Sequence, residues 1–342
     1  MQTRFVSLFV RCGLLAIGCA ASGQTGGPDD QSYSSWAETM EEAQRLRESG
    51  LYEAAYRGFE KASSLSQVIP GRLNPRARSL ESLASVSSTL GRPLEAEAHY
   101  KAAIRLWAAM GKPATVDLLQ CQAELIRLYV QTGQAGRAGR LARRLAADSE
   151  GKLVAEAVVE GRVTIALAAA AELNNDLDRA ESLCRKAVRI KEQSTGITPE
   201  EQSEARGQLG LILWKRGRRA AALQEARRAT EILESVDRVH SLEYATALGN
   251  QAMMSAALNN DPHALEQMRQ AIGVARSAVG TSHFLLARLL TNYSGLLKRA
   301  KRGEEAKAAR REAEKIYENT LVQQSGRYGV DVADLWREAN RQ

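Results

Sequence analysis

Histidine is scarce in this 342-residue chain, which has only four. His99, His240, His263 and His283 are scattered, and no His-x-x-x-His pair occurs. Nucleophilic catalysis needs a base beside its nucleophile, and helical zinc sites need ligands one turn apart, so both chemistries lack their signature. A glycine-rich phosphate loop is also missing. Cysteine is equally sparse: there are four, none at paired metal-binding spacing. Beyond the N-terminal stretch only Cys121 and Cys184 remain, far apart and inside apolar helical patterns, where buried free thiols are expected. Aromatic residues make up 5% and prolines number seven, while alanine is abundant. That balance disfavours a β-sandwich and favours helices packed through small side chains. Neither charge dominates. The formal net charge is +7, with basic and acidic residues interleaved, as on a solvated surface and unlike a nucleic-acid-binding face. No catalytic, cofactor-binding or metal-binding constellation emerges, and the chain does not read as an enzyme.

The first 23 residues read as a targeting segment. Arg4 and Arg11 lead into the apolar run CGLLAIGCAA and then into small residues, the layout of an export signal. The run is too short for a membrane span. Two processing routes fit. One is cleavage near Ala21 to Gly23. The other is lipidation at Cys19, where LAIGC resembles a lipobox with Ala16 in place of a larger aliphatic residue. The expected location is periplasmic or secreted, with membrane contact only through a lipid anchor at Cys19. Residues 24–35 read as a flexible linker.

What the chain has in plenty is repetition. Turn-like stretches are followed by an alanine at 55, 96, 138, 180, 222, 264 and 306, so the first gap is 41 and every later one 42. Seven residues beyond each lies another alanine, or Leu145. Twelve residues before, from the second repeat on, lie Ala84, Ile126, Ala168, Gly210, Ala252 and Ser294. Leu83, Leu125, Leu167 and Leu209 immediately precede the first four of these, with Gln251 and Tyr293 in the last two places. Apolar residues recur at three- and four-residue steps, so each unit reads as helix, turn, helix. First helices are expected at 37–49, 77–90, 117–132, 153–173, 202–216, 242–258 and 284–300. Second helices are expected at 53–66, 94–109, 135–148, 177–193, 219–235, 262–278 and 304–320. Residues 321–342 form a tail, with a short capping helix expected around 330–340. Two Asn-Asn-Asp triplets, at 174 and 259, hint at cation loops but lack the central glycine of an EF-hand. They fall where other repeats have glycine, and so read as turns.

This pattern resembles tetratricopeptide repeats over residues 36–320, and its period resembles the long form found in kinesin light chains. The stretch VGTSHFLLARLLTNYSGLLKRAKRGEEAKAARREAEKI carries the likeness, with His283 in the inter-repeat loop, Asn292 in the first helix and a Gly303–Ala306 turn. The resemblance implies an all-α, right-handed superhelical solenoid of seven antiparallel helix-turn-helix repeats. It implies a protein-interaction scaffold whose first helices line a concave groove for a peptide or partner helix. The family's groove positions map onto two stripes, one two residues before each core leucine or its equivalent and one immediately before it: Ser82, Glu124, Ala166, Gln208, Asn250 and Asn292. Asparagine there can bond a peptide main chain through both its donor and its acceptor. Arg288, one turn before Asn292, faces the same space, and Lys298 and Arg299 extend that side. This resembles the carboxylate-gripping grooves of some chaperone adaptors, without their second basic residue. Glu124 and Arg127 bring mixed charge. Ile165, Ala166 and Ala169 either offer an apolar seat for an amphipathic segment or pack inside the array. The alternative function is a periplasmic or lipid-anchored structural assembly factor acting by self-association.

Overall fold

The computed structural model describes residues 28–69, 73–153, 156–259, 263–281 and 283–325. Among these residues seven antiparallel helix pairs follow one another. They are α1 (Pro28–Glu48) with α2 (Tyr52–Gln67), α3 (Leu73–Thr89) with α4 (Pro93–Met110), and α5 (Thr115–Gln131) with α6 (Ala135–Ser149). Then come α7 (Ala157–Leu173) with α8 (Leu177–Gln193), α9 (Pro199–Lys215) with α10 (Arg219–Glu234), α11 (Leu242–Asn259) with α12 (Ala264–Val279), and α13 (Phe284–Arg299) with α14 (Gly303–Ser325). A single 3-10 turn, Lys112–Ala114, precedes α5. No strand occurs among the described residues.

The turn within a pair is built the same way each time. Gly50, Gly91, Gly133 and Gly217 sit in the left-handed region, as do the non-glycine residues Asn175 and Lys301 at φ 61°. The residue that follows each of the six donates its N–H to a carbonyl five residues back. Examples are Arg92 to Ser87 at 2.8 Å and Arg302 to Leu297 at 2.9 Å. This is a Schellman closure, which satisfies carbonyls that the helix end leaves open. The first Asn-Asn-Asp triplet is such a turn. Asn175 is left-handed, and the Asp176 carboxylate caps α8 by accepting from the Arg179 N–H at 3.3 Å. The second triplet runs into residues 260–262, outside the described set.

The repeating positions are the core. Ala55, Ala96, Ala138, Ala180, Ala222, Ala264 and Ala306 are all at most 1% exposed, and so are the residues seven places on, from Ala62 to Ala313. The small residue twelve places earlier meets the backbone at its anchor. A Cβ on Gly210 would stand 3.1 Å from the Ala222 carbonyl oxygen, and the Ser294 hydroxyl donates to the Ala306 carbonyl at 2.8 Å. Ala43, fully buried, extends this position to the first repeat, where Gly58 of α2 packs on it. Cys121 and Cys184 are free and buried.

Five boundaries differ from expectation by three residues or more, two of them at α3, which begins at Leu73 and not at 77, and at α7, which begins at Ala157 and not at 153. α1 begins at Pro28, so residues 28–35 are helix and not linker. Trp36 explains the extension: it is 6% exposed, stacks on Tyr33 with ring centroids 5.2 Å apart, and donates its indole N–H to the Ser79 hydroxyl at 2.8 Å. α9 begins at Pro199, because Thr198 and Glu201 form a reciprocal capping box. α14 runs on to Ser325. The 1–23 segment with Cys19, and the capping helix expected around 330–340, lie outside the described residues. Among the described residues no helix is long and apolar enough to cross a membrane.

Close approach through small residues makes a direct prediction. A Cβ on Gly58 would stand 2.7 Å from the Ala43 Cβ and 3.3 Å from its Cα, so Gly58→Ala forces α1 and α2 apart and destabilises by about 1–3 kcal/mol. Gly273 in α12 has open space around its Cβ direction, so Gly273→Ala stabilises by about 0.5–1 kcal/mol through helix propensity. Urea midpoints of the two variants should move in opposite directions.

Candidate functional site

Neighbouring first helices touch: α3 meets α5, α5 meets α7, α7 meets α9, α9 meets α11, and α11 meets α13. Neighbouring second helices do not approach to the same degree. The array therefore bends with its first helices inside, and their free faces line one concave groove. Side chains there reach solvent yet stand among protein on several sides. Arg288 and Glu243 are exposed by area, but crowding still disfavours the charged form of each.

The candidate groove residues divide into two sets. In the first, the chain supplies its own partners. Arg127 of α5 bridges Glu204 of α9 at 2.8 Å and Glu124 of its own helix at 3.7 Å. These carboxylates, Glu204 first, hold the guanidinium firmly in its charged form. The reach from α5 to α9 crosses α7, whose groove side offers small residues: Ala166 is fully buried and Ala169 is 8% exposed. With Ile165 at 3%, this apolar patch packs inside the array and is not a seat for an amphipathic segment. Gln208 donates to Glu172, and Arg299 donates to the Ala256 carbonyl at 3.0 Å.

In the second set the groups are open. Asn250 and Asn292 are half-buried and make no side-chain hydrogen bond among the described residues. Lys298 is exposed without an ion pair there, and Arg288 faces only the Tyr317 ring hydroxyl as a charge-bearing neighbour that favours its cation. His283 is structural. It caps α13, with Nδ1 accepting the Leu285 N–H at 3.1 Å, so its proton sits on Nε2. Backbone groups of Ser88 and Thr89, at the end of α3, stand beside this ring, although Nε2 makes no well-formed hydrogen bond. Repeat seven thus comes round to repeat two. Burial, helped by the Arg288 charge, pushes His283 down to about 4.

A tetratricopeptide repeat family matches residues 245–285, from within α11 through α12 to the start of α13. The fold is that of a tetratricopeptide-repeat array. Solved structures agree at low identity. The Rap conjugation gene regulator of plasmid pLS20, in complex with the Phr* peptide, aligns with TM-score 0.67 and 11% identity, covering 88% of this chain and 78% of its own. Aspartyl phosphate phosphatase F from Bacillus subtilis aligns with TM-score 0.61 and 14% identity, covering 89% of this chain and 75% of its own. Kinesin light chain TPR-like repeats from Podosopora anserina align with TM-score 0.41 and 19% identity, over 62% of this chain and 97% of theirs. Among curated proteins none matches. At these identities the likeness is one of fold.

The groove also holds carboxylates beyond the named candidate residues. Glu81 lies two residues before Leu83, close to Glu124 and Asp117, and has no cationic side chain bonded to it. Burial raises it first, the two neighbouring carboxylates add to that, and it reaches about 7. Glu243 is raised by crowding and then by Glu200 and Glu204. Glu81 falls on the expected stripe two residues before the core leucines, whereas Glu204 and Glu243 lie off both stripes.

Because Glu81 titrates above its ordinary value, folding favours its protonated form. That contribution is intact below about pH 4.5 and is lost as pH rises through about 7. Glu81→Gln should therefore raise stability at pH 8 by about 1–2 kcal/mol, allowing for the solvent that reaches the groove. Thermal midpoints at pH 8 and pH 4 check this: the gain should shrink towards zero at pH 4.

Proposed function

We propose that the chain is an exported interaction scaffold that holds an extended peptide or partner segment in its concave groove. The observation that carries this is the split between the two sets of groove side chains. Half are tied into the chain's own bonds, while Asn250 and Asn292 keep both amide functions unused on neighbouring first helices. A half-buried amide gains most from a partner that supplies a carbonyl and an N–H together, as a main chain does. Arg288, one helical turn from Asn292, adds a cation for a carboxylate at the same end, with Lys298 nearby. Lys298 is a weaker contributor, being strongly hydrated. A peptide complex of the structurally similar Rap regulator is consistent with this use of the groove. Export rests on the N-terminal charge and apolar pattern, with lipidation at Cys19 as one processing route.

Affinity capture from the envelope fraction with the purified chain tests the reading. The double variant Asn250→Ala/Asn292→Ala should retain its fold and lose at least about tenfold in capture of the partner held by the unmodified chain, the loss of about two buried hydrogen bonds. Undiminished capture by the variant would place the working surface elsewhere.

A further inference from the structure

The face opposite the groove carries a regular row of its own, which the groove reading does not use. Five residues beyond each buried anchor alanine, from the second repeat to the seventh, stand Lys101, Arg143, Arg185, Arg227, Arg269 and Arg311, each 42 residues from the last. All six are exposed, on the second helices α4, α6, α8, α10, α12 and α14. The anchors and the residues seven places on are buried, and at 3.6 residues per turn a step of five points away from that core side. The first repeat departs from the row, with Glu60. An exposed position has no packing reason to keep one sign. Four places further on, the same helices carry Arg105, Ala147, Arg189, Glu231, Gly273 and Lys315, all exposed and of no common charge. Repetition alone thus does not keep the row.

The six cations stand in two states. Lys101 pairs with Glu97 at 2.5 Å, Arg185 with Glu181 at 2.8 Å and Arg269 with Glu266 at 2.6 Å, each acid about one turn earlier on the same helix. In the repeats between, no acid stands three or four places earlier. There Arg143, Arg227 and Arg311 make no ion pair or side-chain hydrogen bond among the described residues. Glu231, one turn on from Arg227, does not close on it, and Glu314, three on from Arg311, is taken by Arg310 at 2.8 Å. The paired repeats show what a cation in this row takes, a glutamate carboxylate, and the open repeats lack it. A guanidinium fork suits a carboxylate well, through two parallel hydrogen bonds. The row is also narrow. The exposed acids Glu192 and Glu234 stand seven places beyond Arg185 and Arg227, roughly 10 Å along the helix. A flat anionic surface pressed on this face would meet those acids too, whereas a linear partner can follow the row and avoid them.

We propose that this convex row docks an extended acidic segment of a partner polypeptide. Its carboxylates give Arg143, Arg227 and Arg311 the group that Glu97, Glu181 and Glu266 give the cations between them. Packed helices stand about 10 Å apart, and neighbouring second helices lie on the splayed outer side. The three open arginines are two repeats apart, so at least about 20 Å separates one from the next, six or more residues of extended chain at about 3.3 Å per residue. The segment is then about a dozen residues or longer. Its recognition depends on carboxylates at intervals more than on one sequence.

Binding of fluorescent peptides of about 24 residues to the purified full chain, followed by anisotropy, tests this. At about 0.15 M salt a Glu-Gly-Ser repeat should bind at least about tenfold more tightly than a Gln-Gly-Ser repeat, and added salt should shrink the difference. Arg143→Gln/Arg227→Gln/Arg311→Gln should lose about tenfold in affinity for the glutamate peptide. Arg105→Gln/Arg189→Gln/Lys315→Gln removes as many exposed cations from the second helices and should lose about threefold at most. None of these six side chains makes an ion pair among the described residues, so neither variant should lower the thermal midpoint, and lost binding is then not lost fold. Asn250→Ala/Asn292→Ala should bind the peptide unchanged, which separates this row from the groove. A loss in that variant places the acidic peptide in the groove and overturns the row. Equal losses in the two triple variants reduce the row to diffuse charge and overturn it, and so does equal binding of the two peptides. Polyphosphate of equal total charge, or anionic phospholipid vesicles, binding more tightly than the glutamate peptide and released by the first triple variant would overturn the polypeptide partner.

Discussion

The array rests on one recurring contact: a residue of the first helix, small in all repeats but the one with Ile126, packed at the alanine twelve residues later. Gly210 over Ala222 and Ser294 over Ala306 show it at its closest. The contact lets two helices approach nearer than leucine against leucine would allow. Each unit then presents its remaining apolar face to the next, because one hairpin cannot bury it alone. The seven anchors, all near zero exposure, fix where every other residue of the period must stand. The curve of the array, its inner groove and the register of side chains along it all follow from that spacing.

Turns can vary where this contact cannot. The left-handed position between paired helices is glycine in four repeats, asparagine at 175 and lysine at 301, with nearly the same φ throughout. A non-glycine residue there costs roughly 1 kcal/mol of backbone strain. The Schellman bonds on either side hold it in place regardless. Backbone hydrogen bonds are indifferent to side-chain identity, which is why the Asn-Asn-Asp triplet could resemble a cation loop in composition while acting as a turn.

The fold was legible because the period concerns burial, and burial leaves a mark on residue type at each position. All fourteen helices lie where the three- and four-residue steps place them. The exceptions come from contacts that no local period encodes. Trp36 gains its reason to be helical from Ser79, forty-three residues on, and α9 starts early through one capping box. The groove was legible only in outline. Asn250, Asn292 and Arg288 could be found by carrying one stripe along the helices. That Arg127 would be taken up by Glu204, 77 residues away, could not, since it depends on the small face of α7 between them. The same blindness hid Glu243 and the character of Glu81, which stands on an expected stripe but is raised by burial and by neighbours on another helix.

Charge in the groove is therefore best understood as a repeat with exceptions. Where Arg78 meets Asp117 and Arg162 meets Glu201, the array neutralises itself, and such partly exposed pairs add little stability. One repeat on from Arg162 and Glu201 the same two positions hold Glu204 and Glu243, and there Arg127 reaches across from α5 to supply the charge that the register does not. The array thus answers much of its own groove charge from within, by a different pair at each step, and the side chains it leaves unanswered, Asn250, Asn292 and Arg288, are where its partner should be sought.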